Sequence, residues 1–287
     1  MNLIDFGYNA KLEQLRTELN LQNFEVGRVI SEHKERYIVR TEQGELDAEV
    51  TGNLRFSAQS REDFPAVGDW VAVTAYDAEF CIIHRVFPRQ SVISRRAAGH
   101  SGEIQIIATN IDFDFLVQSI DRDFNINRME RYLTICNASQ VEPIIVLTKT
   151  DLIAPEQLNE IIKSIEQRIK NIRVIAVSNE TLDGYETLRA TIEPGKTYCM
   201  LGSSGVGKSP ILNKLSGKEI MQTGAISESV NRGRHVTSHR ELIVLESGGI
   251  LIDNPGMREV GIADSGSGLE TTFDAILRIG KSCRYTN

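Results

Sequence analysis

The pattern of apolar and polar positions changes twice along the chain. Residues 1–23 carry Leu12, Leu15 and Leu19 at helical spacing, which predicts a short amphipathic arm. Residues 24–97 hold short β-type runs separated by glycine and proline turns. The five predicted strands are Val26–Ile30, Tyr37–Arg40, Glu45–Val50, Trp70–Thr74 and Phe80–Val86. Such strands are typical of a small five-stranded barrel of the oligonucleotide/oligosaccharide-binding (OB) type, with a purely structural β-domain as the alternative.

Residues 98–270 alternate between predicted strands and predicted helices. The strands are Ile111–Val117, Pro143–Leu147, Ile172–Val177 and Thr197–Leu201, and the helices are Ile126–Ala138, Glu156–Ile169, Tyr185–Ile192 and one that opens at Pro210–Leu215. This alternation predicts an α/β domain with a mostly parallel sheet covered on both faces. The strands Glu241–Leu245 and Ile250–Asp253 flank a glycine-containing turn and are predicted to form a hairpin.

The composition of the 287-residue chain excludes several classes of protein. With 41% hydrophobic and 25% charged residues, it is typical of a globular protein of about two domains. No apolar run approaches the roughly 18 residues of a membrane span, and no signal peptide is readable, so we expect a cytoplasmic protein without a membrane partner. Cys81, Cys136, Cys199 and Cys283 stand far apart, which suits a reducing compartment. The net charge of −7 excludes bulk coating of nucleic acid but allows local basic patches.

Residues 202–209 form the strongest motif, a complete GxxxxGK[ST] between a predicted strand and a predicted helix. Its members are Gly202, Ser203, Ser204, Gly205, Val206, Gly207, Lys208 and Ser209. In such a loop the backbone N–H groups wrap nucleotide phosphates, the lysine reaches the β- and γ-phosphates, and the final serine ligates Mg²⁺. A glycine- and serine-rich loop without this role is the alternative. Pro210 lacks the N–H that normally points at the α-phosphate, so we expect reduced nucleotide affinity.

Two further loops follow predicted strands and indicate guanine as the base. Thr148, Lys149, Thr150 and Asp151 form the first loop, in which the carboxylate can accept from both the ring N–H and the exocyclic amine of guanine. Val177, Ser178 and Asn179 belong to the second loop, at the end of the next strand. Binding at the carboxyl ends of neighbouring strands is the usual arrangement of such sheets. The pattern favours GTP over ATP; a charged helix N-terminus is the alternative for the first loop.

The order of these motifs indicates a circular permutation. In most GTPases the phosphate loop precedes the guanine loops, whereas here Asp151 precedes Gly202. Asp253 follows at the end of a hairpin strand, where a loop for Mg²⁺ and the γ-phosphate is expected. In that loop Gly256 can offer its N–H to the γ-phosphate, and Asp253 is expected to hold Mg²⁺ through water. Thr237 lies between the phosphate loop and the Asp253 loop. It is the expected switch threonine, which ligates Mg²⁺ directly together with Ser209.

A circularly permuted P-loop GTPase domain behind a small β-barrel resembles the ribosome small-subunit-dependent GTPase A family (RsgA, also called YjeQ). The resemblance rests on residues 148–151, 202–209, 233–235 and 253–259. The resemblance implies a GTPase that docks on the 30S ribosomal subunit late in the maturation of that subunit. It also implies that the subunit stimulates the hydrolysis of GTP to GDP. Pro210, Asn254 and Val236 depart from the residues usual in the family.

The sequence lacks a glutamine at the position where many GTPases hold the attacking water. Met257 stands where many GTPases carry a water-orienting glutamine, so another polar group must act on the water. His235 is the candidate, beside Lys208 and Thr237; an RNA-facing or solvated histidine is the alternative. Two rival functions follow: a nucleotide-gated RNA-binding protein with negligible turnover, and a P-loop ATPase or kinase whose aspartate loop is coincidental.

Arginines near the end of the barrel and in the switch region are candidate contacts for 16S rRNA. They are Arg85, Arg89, Arg95, Arg96 and Arg234. Arginine-bearing loops can bind an RNA backbone, while a solvated face is the alternative. Trp70 and Phe87 are expected to pack in the core. No feature asks for a second copy of the chain, so we expect a monomer.

Residues 271–287 resemble the start of the family's zinc-binding domain. Cys283 matches the first zinc ligand of that domain. A structural zinc site needs four ligands, and the other ligands do not follow in this sequence. We therefore expect Zn²⁺ in full-length members of the family and not in this chain, whose predicted cofactor is Mg²⁺ with GTP or GDP.

Overall fold

The computed structural model describes residues 2–33, 35–96, 104–121, 124–217 and 240–253. An N-terminal arm precedes a barrel. Its helix α1, Ala10–Glu18, begins at Asn9, whose side chain accepts from the N–H groups of Lys11 and Leu12. Leu12 is buried, together with Leu3 and Phe6 ahead of the helix. The arm therefore packs onto the rest of the molecule through a few apolar side chains.

Five strands close into the barrel that the sequence predicts. They are β1 Glu25–His33, β2 Arg36–Arg40, β3 Glu45–Val50, β4 Trp70–Ala75 and β5 Phe80–Val86. Their pairing runs β1-β2-β3-β5-β4 and back to β1, with β3 and β5 parallel and the other pairs antiparallel. Every second residue of β3 is buried, as the period of two requires when one face of a strand lines a core. Helix α2, Gly52–Ser57, and a single 3₁₀ turn, Arg61–Asp63, lie between β3 and β4.

Two strands that the sequence pattern did not predict lie between the barrel and the second sheet. β6, Val92–Arg96, and β7, Ile104–Thr109, pair antiparallel in a small sheet of their own. β6 contains two arginines, which hid its β character. Asn110 has a left-handed φ of 54° and separates β7 from the next strand. That strand begins at Phe113, two residues after the predicted start at Ile111.

The second sheet has the mostly parallel organisation expected for an α/β domain. Its strands are β8 Phe113–Ser119, β9 Glu142–Thr148, β10 Arg173–Ala176, β11 Thr197–Leu201, β12 Arg240–Val244 and β13 Ile250–Asp253. They lie in the order β10-β9-β8-β11-β13-β12, and only the predicted hairpin β12–β13 is antiparallel. The helices are α3 Ile126–Ala138, α4 Pro155–Arg168, α5 Tyr185–Ala190 and α6 Lys208–Ser216.

The barrel and the α/β sheet are joined edge to edge. Strand β1 continues past the barrel and pairs antiparallel with β12 through Ser31 opposite Glu241 and Glu32 opposite Arg240. This pairing merges the two units into one eleven-stranded sheet. Nothing in the sequence pattern indicated it, because the two strands lie about two hundred residues apart.

A buried arginine forms a second connection between the units. Nε of Arg28, in β1, donates to the carbonyl of Gly68 at 3.2 Å, and Nη1 donates to the carbonyl of Phe6 in the arm. Nη2 donates to Oγ1 of Thr197 at 2.9 Å and to the carbonyl of Asn110 at 3.4 Å. One side chain thus holds the arm, the barrel, the β7–β8 turn and the first residue of β11.

The charge of Arg28 is buried but stabilised. Its relative exposure is 1%, and its guanidinium carbon lies 5.2 Å from the centre of the Trp70 ring. Burial lowers the pKa of Arg28 to about 10, while the charges of Asp112 and Asp69 raise it. The guanidinium is therefore protonated at neutral pH, and four oxygen atoms accept hydrogen bonds from it.

We expect Arg28→Ala to lower the free energy of unfolding by about 3 kcal/mol or more, because buried carbonyl groups lose their donor. Urea unfolding followed by circular dichroism measures the change. Arg36→Ala, at an exposed position of β2, is the matched control and is expected to change it by less than about 0.5 kcal/mol. Equal losses in the two variants would contradict the role assigned to Arg28.

Candidate functional site

The three predicted loops meet at the carboxyl ends of adjacent parallel strands. β11 leads into the loop of residues 202–207, and β9 leads into residues 149–151. β10 leads into residues 177–179, and β8, between β11 and β9, leads into residues 120–121. This edge of a parallel sheet is where α/β proteins bind their ligands.

The loop after β11 has the backbone shape of a phosphate-binding loop. Gly202, Gly205 and Gly207 have φ values of 157°, 79° and 97°, which side chains rarely permit. A Cβ at Gly202 would lie 2.3 Å from the carbonyl oxygen of Val117, so the strand approaches too closely for another residue. Gly207 is the N-cap of α6, and the first N–H groups of a helix have no intrahelical partner. The loop therefore presents backbone donors where an anion would bind.

Lys208 is half-buried, and within the described part of the chain its ammonium group bonds to backbone carbonyls of its own loop. Its Nζ donates to the carbonyls of Gly202 and Ser203, each at 2.6 Å. Burial lowers the pKa of Lys208 from 10.5 to about 8, while the charge of Asp253 raises it. A buried cation with a lowered pKa is stabilised when an anion binds beside it, so these residues fit a nucleotide phosphate.

The end of β11, which leads into this loop, is fixed by a buried carboxyl group. Oδ1 of Asp114, in β8, accepts from the N–H of Leu201 at 3.1 Å, and the thiol of Cys136 lies 3.8 Å from Oδ2. Burial raises the pKa of Asp114 to about 7. The bond is formed at the residue directly before Gly202, so it sets where the phosphate loop begins.

The predicted guanine loop contacts the phosphate loop directly. Oγ1 of Thr148 donates to the carbonyl of Val206. Lys149 adopts a left-handed φ of 60°, and its Nζ bonds to Oδ2 of Asp121 at 2.6 Å. Non-glycine residues in this conformation concentrate at functional sites. Asp151 is exposed.

The second base-side loop holds both the guanine loop and the phosphate loop. Oγ of Ser178 donates to Oδ1 of Asp151 at 2.6 Å, which orients that carboxylate. Nδ2 of Asn179 approaches the carbonyl of Gly207 at 3.5 Å, and Oδ1 of Asn179 accepts from the hydroxyl of Tyr185. Val177 is fully buried and acts through its backbone, whose N–H donates to the carbonyl of Leu147.

Several predicted site residues lie outside the described part of the chain. They are Arg234, His235, Thr237, Gly256 and Cys283, and the side chains of Arg95 and Arg96 also lie outside it. Of the predicted Mg²⁺ ligands, Ser209 is the second residue of α6 and Asp253 ends β13, close enough to Lys208 to act on its pKa. Within the described ranges no group of three or more His, Cys, Asp or Glu residues is placed to hold a metal.

The two predicted RNA-contact arginines whose side chains the structure describes differ in their surroundings. Arg89 bonds to the buried carboxylate of Asp69 through Nε and Nη2 and to the carbonyls of Glu62 and Phe64. Its guanidinium therefore stabilises the barrel, and its contact with RNA stays a prediction. Arg85 is exposed beside an open cavity of about 500 Å³ that His84 also lines.

The aromatic side chains Trp70 and Phe87 are 3% and 2% exposed, so their expected place in the core is confirmed. Cys81, Cys136 and Cys199 are also buried. Within the described ranges, none of the helices has the length and apolar character needed to cross a membrane.

Comparison with known proteins agrees with this geometry. A family model described as RsgA GTPase matches residues 86–263. A protein of Opitutus terrae named "Small ribosomal subunit biogenesis GTPase RsgA" is 39% identical over 92% of this chain and 74% of its own length. A protein of Lactiplantibacillus plantarum with the name "Small ribosomal subunit biogenesis GTPase RsgA 2" is 39% identical over 100% of this chain and 80% of its own length.

The chain belongs to the RsgA GTPase family. It is a GTPase, and GTPases of this kind work with Mg²⁺ and a nucleotide. The fold of the family agrees with solved structures. YjeQ from Thermotoga maritima superposes with a TM-score of 0.61 and 22% identity over 84% of this chain and 76% of its own. YloQ, a circularly permuted GTPase, superposes with a TM-score of 0.65 and 24% identity over 92% of this chain and 83% of its own. The predicted circular permutation is thereby confirmed.

This RsgA family member has site residues that sequence reasoning missed. Asp121 pairs with Lys149, and Arg128 bonds to Ser203. Asp121 follows β8 at the edge where the other loops lie, so extending the strand-end rule to β8 would have found it. Arg128 gave no signal, because its partner is 75 residues away.

Nucleotide binding by this GTPase is expected to take up a proton at alkaline pH. Without nucleotide, Lys208 has a pKa of about 8, and phosphate beside it raises that pKa. At pH 8 we expect uptake of about half a proton on binding GDP, so affinity falls as pH rises through that range. Calorimetry in two buffers of different ionisation enthalpy measures the uptake.

Lys208→Arg is the control for that measurement, because a guanidinium stays charged throughout the pH range. GDP brings the same ionisations to both proteins, so the difference between them isolates Lys208. Equal proton uptake by the two proteins would show that Lys208 does not change its protonation on binding.

Pro210 is the third residue of α6, where its missing N–H would otherwise have no intrahelical partner. The helix therefore loses no internal bond, and the loss falls on the ligand. We expect Pro210→Ser to bind GDP about tenfold more tightly, since one bond to a charged phosphate is regained. Fluorescence titration with a labelled GDP compares the two proteins, and equal affinities would contradict the expectation.

Proposed function

We propose that this GTPase hydrolyses GTP on the small ribosomal subunit late in the maturation of that subunit, and that the 30S subunit stimulates the hydrolysis. The relatives from Opitutus terrae and Lactiplantibacillus plantarum, both 39% identical, carry names that state a role in small-subunit biogenesis. For the nucleotide part, the supporting observation is the bond from Thr148 to Val206, which ties the guanine loop to the phosphate loop.

In the proposed site each loop has one task. The N–H groups of residues 202–207 and the ammonium of Lys208 bind the phosphates, and Asp151 binds the guanine edge. The bond from Ser178 holds the Asp151 carboxylate in one orientation before the base arrives, which reduces the entropy lost on binding. Guanine offers two donors to that carboxylate and adenine does not, so the site selects GTP over ATP.

Hydrolysis requires Mg²⁺ and an oriented water. We assign Ser209 and Thr237 as direct Mg²⁺ ligands and Asp253 as a ligand through water; the ion neutralises charge on the β- and γ-phosphates when bound. Gly256 is assigned to the γ-phosphate through its N–H. His235 is assigned to hold the attacking water, because Met257 has no group that can do so.

The proposed ribosomal contact is to 16S rRNA through local arginine patches. Arg85 is exposed on the barrel. Arg95, Arg96 and Arg234 are proposed to act with it, since a net charge of −7 restricts contacts with phosphate groups to such patches. Arg89 is proposed to act there as well, because it lines the same cavity as Arg85 and its bonds to Asp69 fix its position. We also propose that the protein acts as a monomer in the cytoplasm, where ribosomal subunits are assembled.

The test is GTP turnover with and without purified 30S subunits. Because no glutamine stands at position 257, we expect slow turnover by the protein alone and at least about tenfold faster turnover with 30S subunits. His235→Ala is expected to lose about 100-fold of the stimulated rate while still binding GTP. Isolated 50S subunits serve as the control and are expected to give no stimulation.

Two results would overturn parts of this proposal. Binding of 30S subunits without added turnover would favour the second candidate, a nucleotide-gated RNA-binding protein, for which Pro210 in α6 is the specific observation. Asp151→Asn separates guanine recognition from catalysis, because an asparagine amide matches xanthine better than guanine. If that variant prefers GTP over xanthosine triphosphate as the parent does, the assignment of Asp151 is wrong.

A further inference from the structure

Arg128, in helix α3, contacts the phosphate loop at Ser203. It is the third residue of α3, and its Nη1 lies 3.0 Å from Oγ of Ser203, the second residue of the loop. The side chain is half-buried. Among the described residues Ser203 is its hydrogen-bond partner, and no carboxylate in those ranges forms an ion pair with it.

The position of Arg128 is unfavourable for the helix that carries it. The N-terminus of a helix bears a partial positive charge, so a cation in the first turn is repelled by it. The nearest acidic residue of α3, Glu130, is already paired with Arg168 of α4, at 2.6 Å and 2.8 Å. The side chain of Arg128 therefore does not stabilise α3 through an ion pair within the described ranges. Its partner is the neutral hydroxyl of Ser203.

Two cations meet at Ser203. Arg128 donates to its hydroxyl, and Lys208 donates to its carbonyl at 2.6 Å. Two of the three N–H donors of the Lys208 ammonium bond to carbonyls of the loop, so a third is available to a bound phosphate. The contact of Arg128 is made to the side chain of Ser203, so it fixes this residue without using a backbone donor of the loop and adds a second positive charge to the loop.

We propose that Arg128 is a positioning residue of the nucleotide site, which fixes Ser203 and strengthens the binding of the nucleotide's terminal phosphates. This inference rests on the proposed nucleotide site at residues 202–209. Its chemical consequence is selective: the charge acts on the β- and γ-phosphates and leaves the recognition of the guanine base unchanged. A purely structural role of Arg128 would weaken binding of every guanine ligand alike.

The experiment compares affinities for GDP and for guanosine in five proteins: the parent, Arg128→Ala, Arg128→Lys, Ser203→Ala and the double variant. For Arg128→Ala we expect a loss of about tenfold for GDP and less than twofold for guanosine. Arg128→Lys is expected to recover part of the loss because it restores the charge. In the double variant, the loss should be smaller than the product of the single losses, because the two side chains act together.

Thermal unfolding separates this role from a structural one. Without nucleotide, Arg128→Ala is expected to melt at the parental temperature or above it, because a cation is removed from a helix N-terminus. The increase in melting temperature that GDP causes should be smaller than in the parent. Arg131→Ala, at an exposed position one turn along α3, is the matched control and is expected to change neither quantity.

Each outcome bears on a different assignment. If Arg128→Ala binds GDP as the parent does while Lys208→Ala does not, the inference on Arg128 is wrong and the nucleotide site remains. If Lys208→Ala also binds GDP normally, the proposed site itself is wrong. Equal losses for GDP and guanosine, or an equal loss in Arg131→Ala, would replace the positioning role by a structural or a general charge effect.

Discussion

The arrangement of this molecule depends on one buried guanidinium. Arg28 belongs to the barrel. Its four hydrogen bonds go to the arm, to the carbonyl of Gly68 just before β4, to the β7–β8 turn and to Thr197. Thr197 begins β11, the strand that ends next to the phosphate loop. Separating the barrel from the sheet would break the hydrogen bonds from Arg28 to Thr197 and Asn110, and a guanidinium that stayed buried without these partners would cost several kcal/mol. The barrel is therefore fixed to the strand that carries the nucleotide site.

The pairing of β1 with β12 makes the same connection through the backbone. β1 contributes to the barrel wall and, at Ser31 and Glu32, to the edge of the second sheet. The barrel, which we propose contacts RNA, is thus linked to the GTPase sheet by hydrogen bonds between strands and by Arg28. Rigid elements of this kind are the physical means by which two distant sites can influence each other.

The nucleotide site is preformed by contacts among its own loops. Thr148 reaches the phosphate loop from β9, Asn179 reaches it from β10, and Arg128 reaches it from α3. Lys208 completes the arrangement by donating to two carbonyl groups of the loop. A loop held from three sides loses little conformational entropy on binding, so its backbone donors are already directed at the ligand.

The sequence by itself determined the local structure and the motifs. Helix Ile126–Ala138 and the strands Glu45–Val50 and Thr197–Leu201 follow from periodicity, and residues 202–209 follow from spacing, because both depend on neighbours along the chain. Only the tertiary structure decided the β1–β12 pairing and the partners of Arg28, Arg89 and Arg128. Arg89 illustrates the reason: the sequence predicted it as an RNA contact, and only folding placed the buried carboxylate of Asp69 beside its guanidinium. What a charged side chain does is set by the partner that folding brings to it, and that partner is distant in sequence.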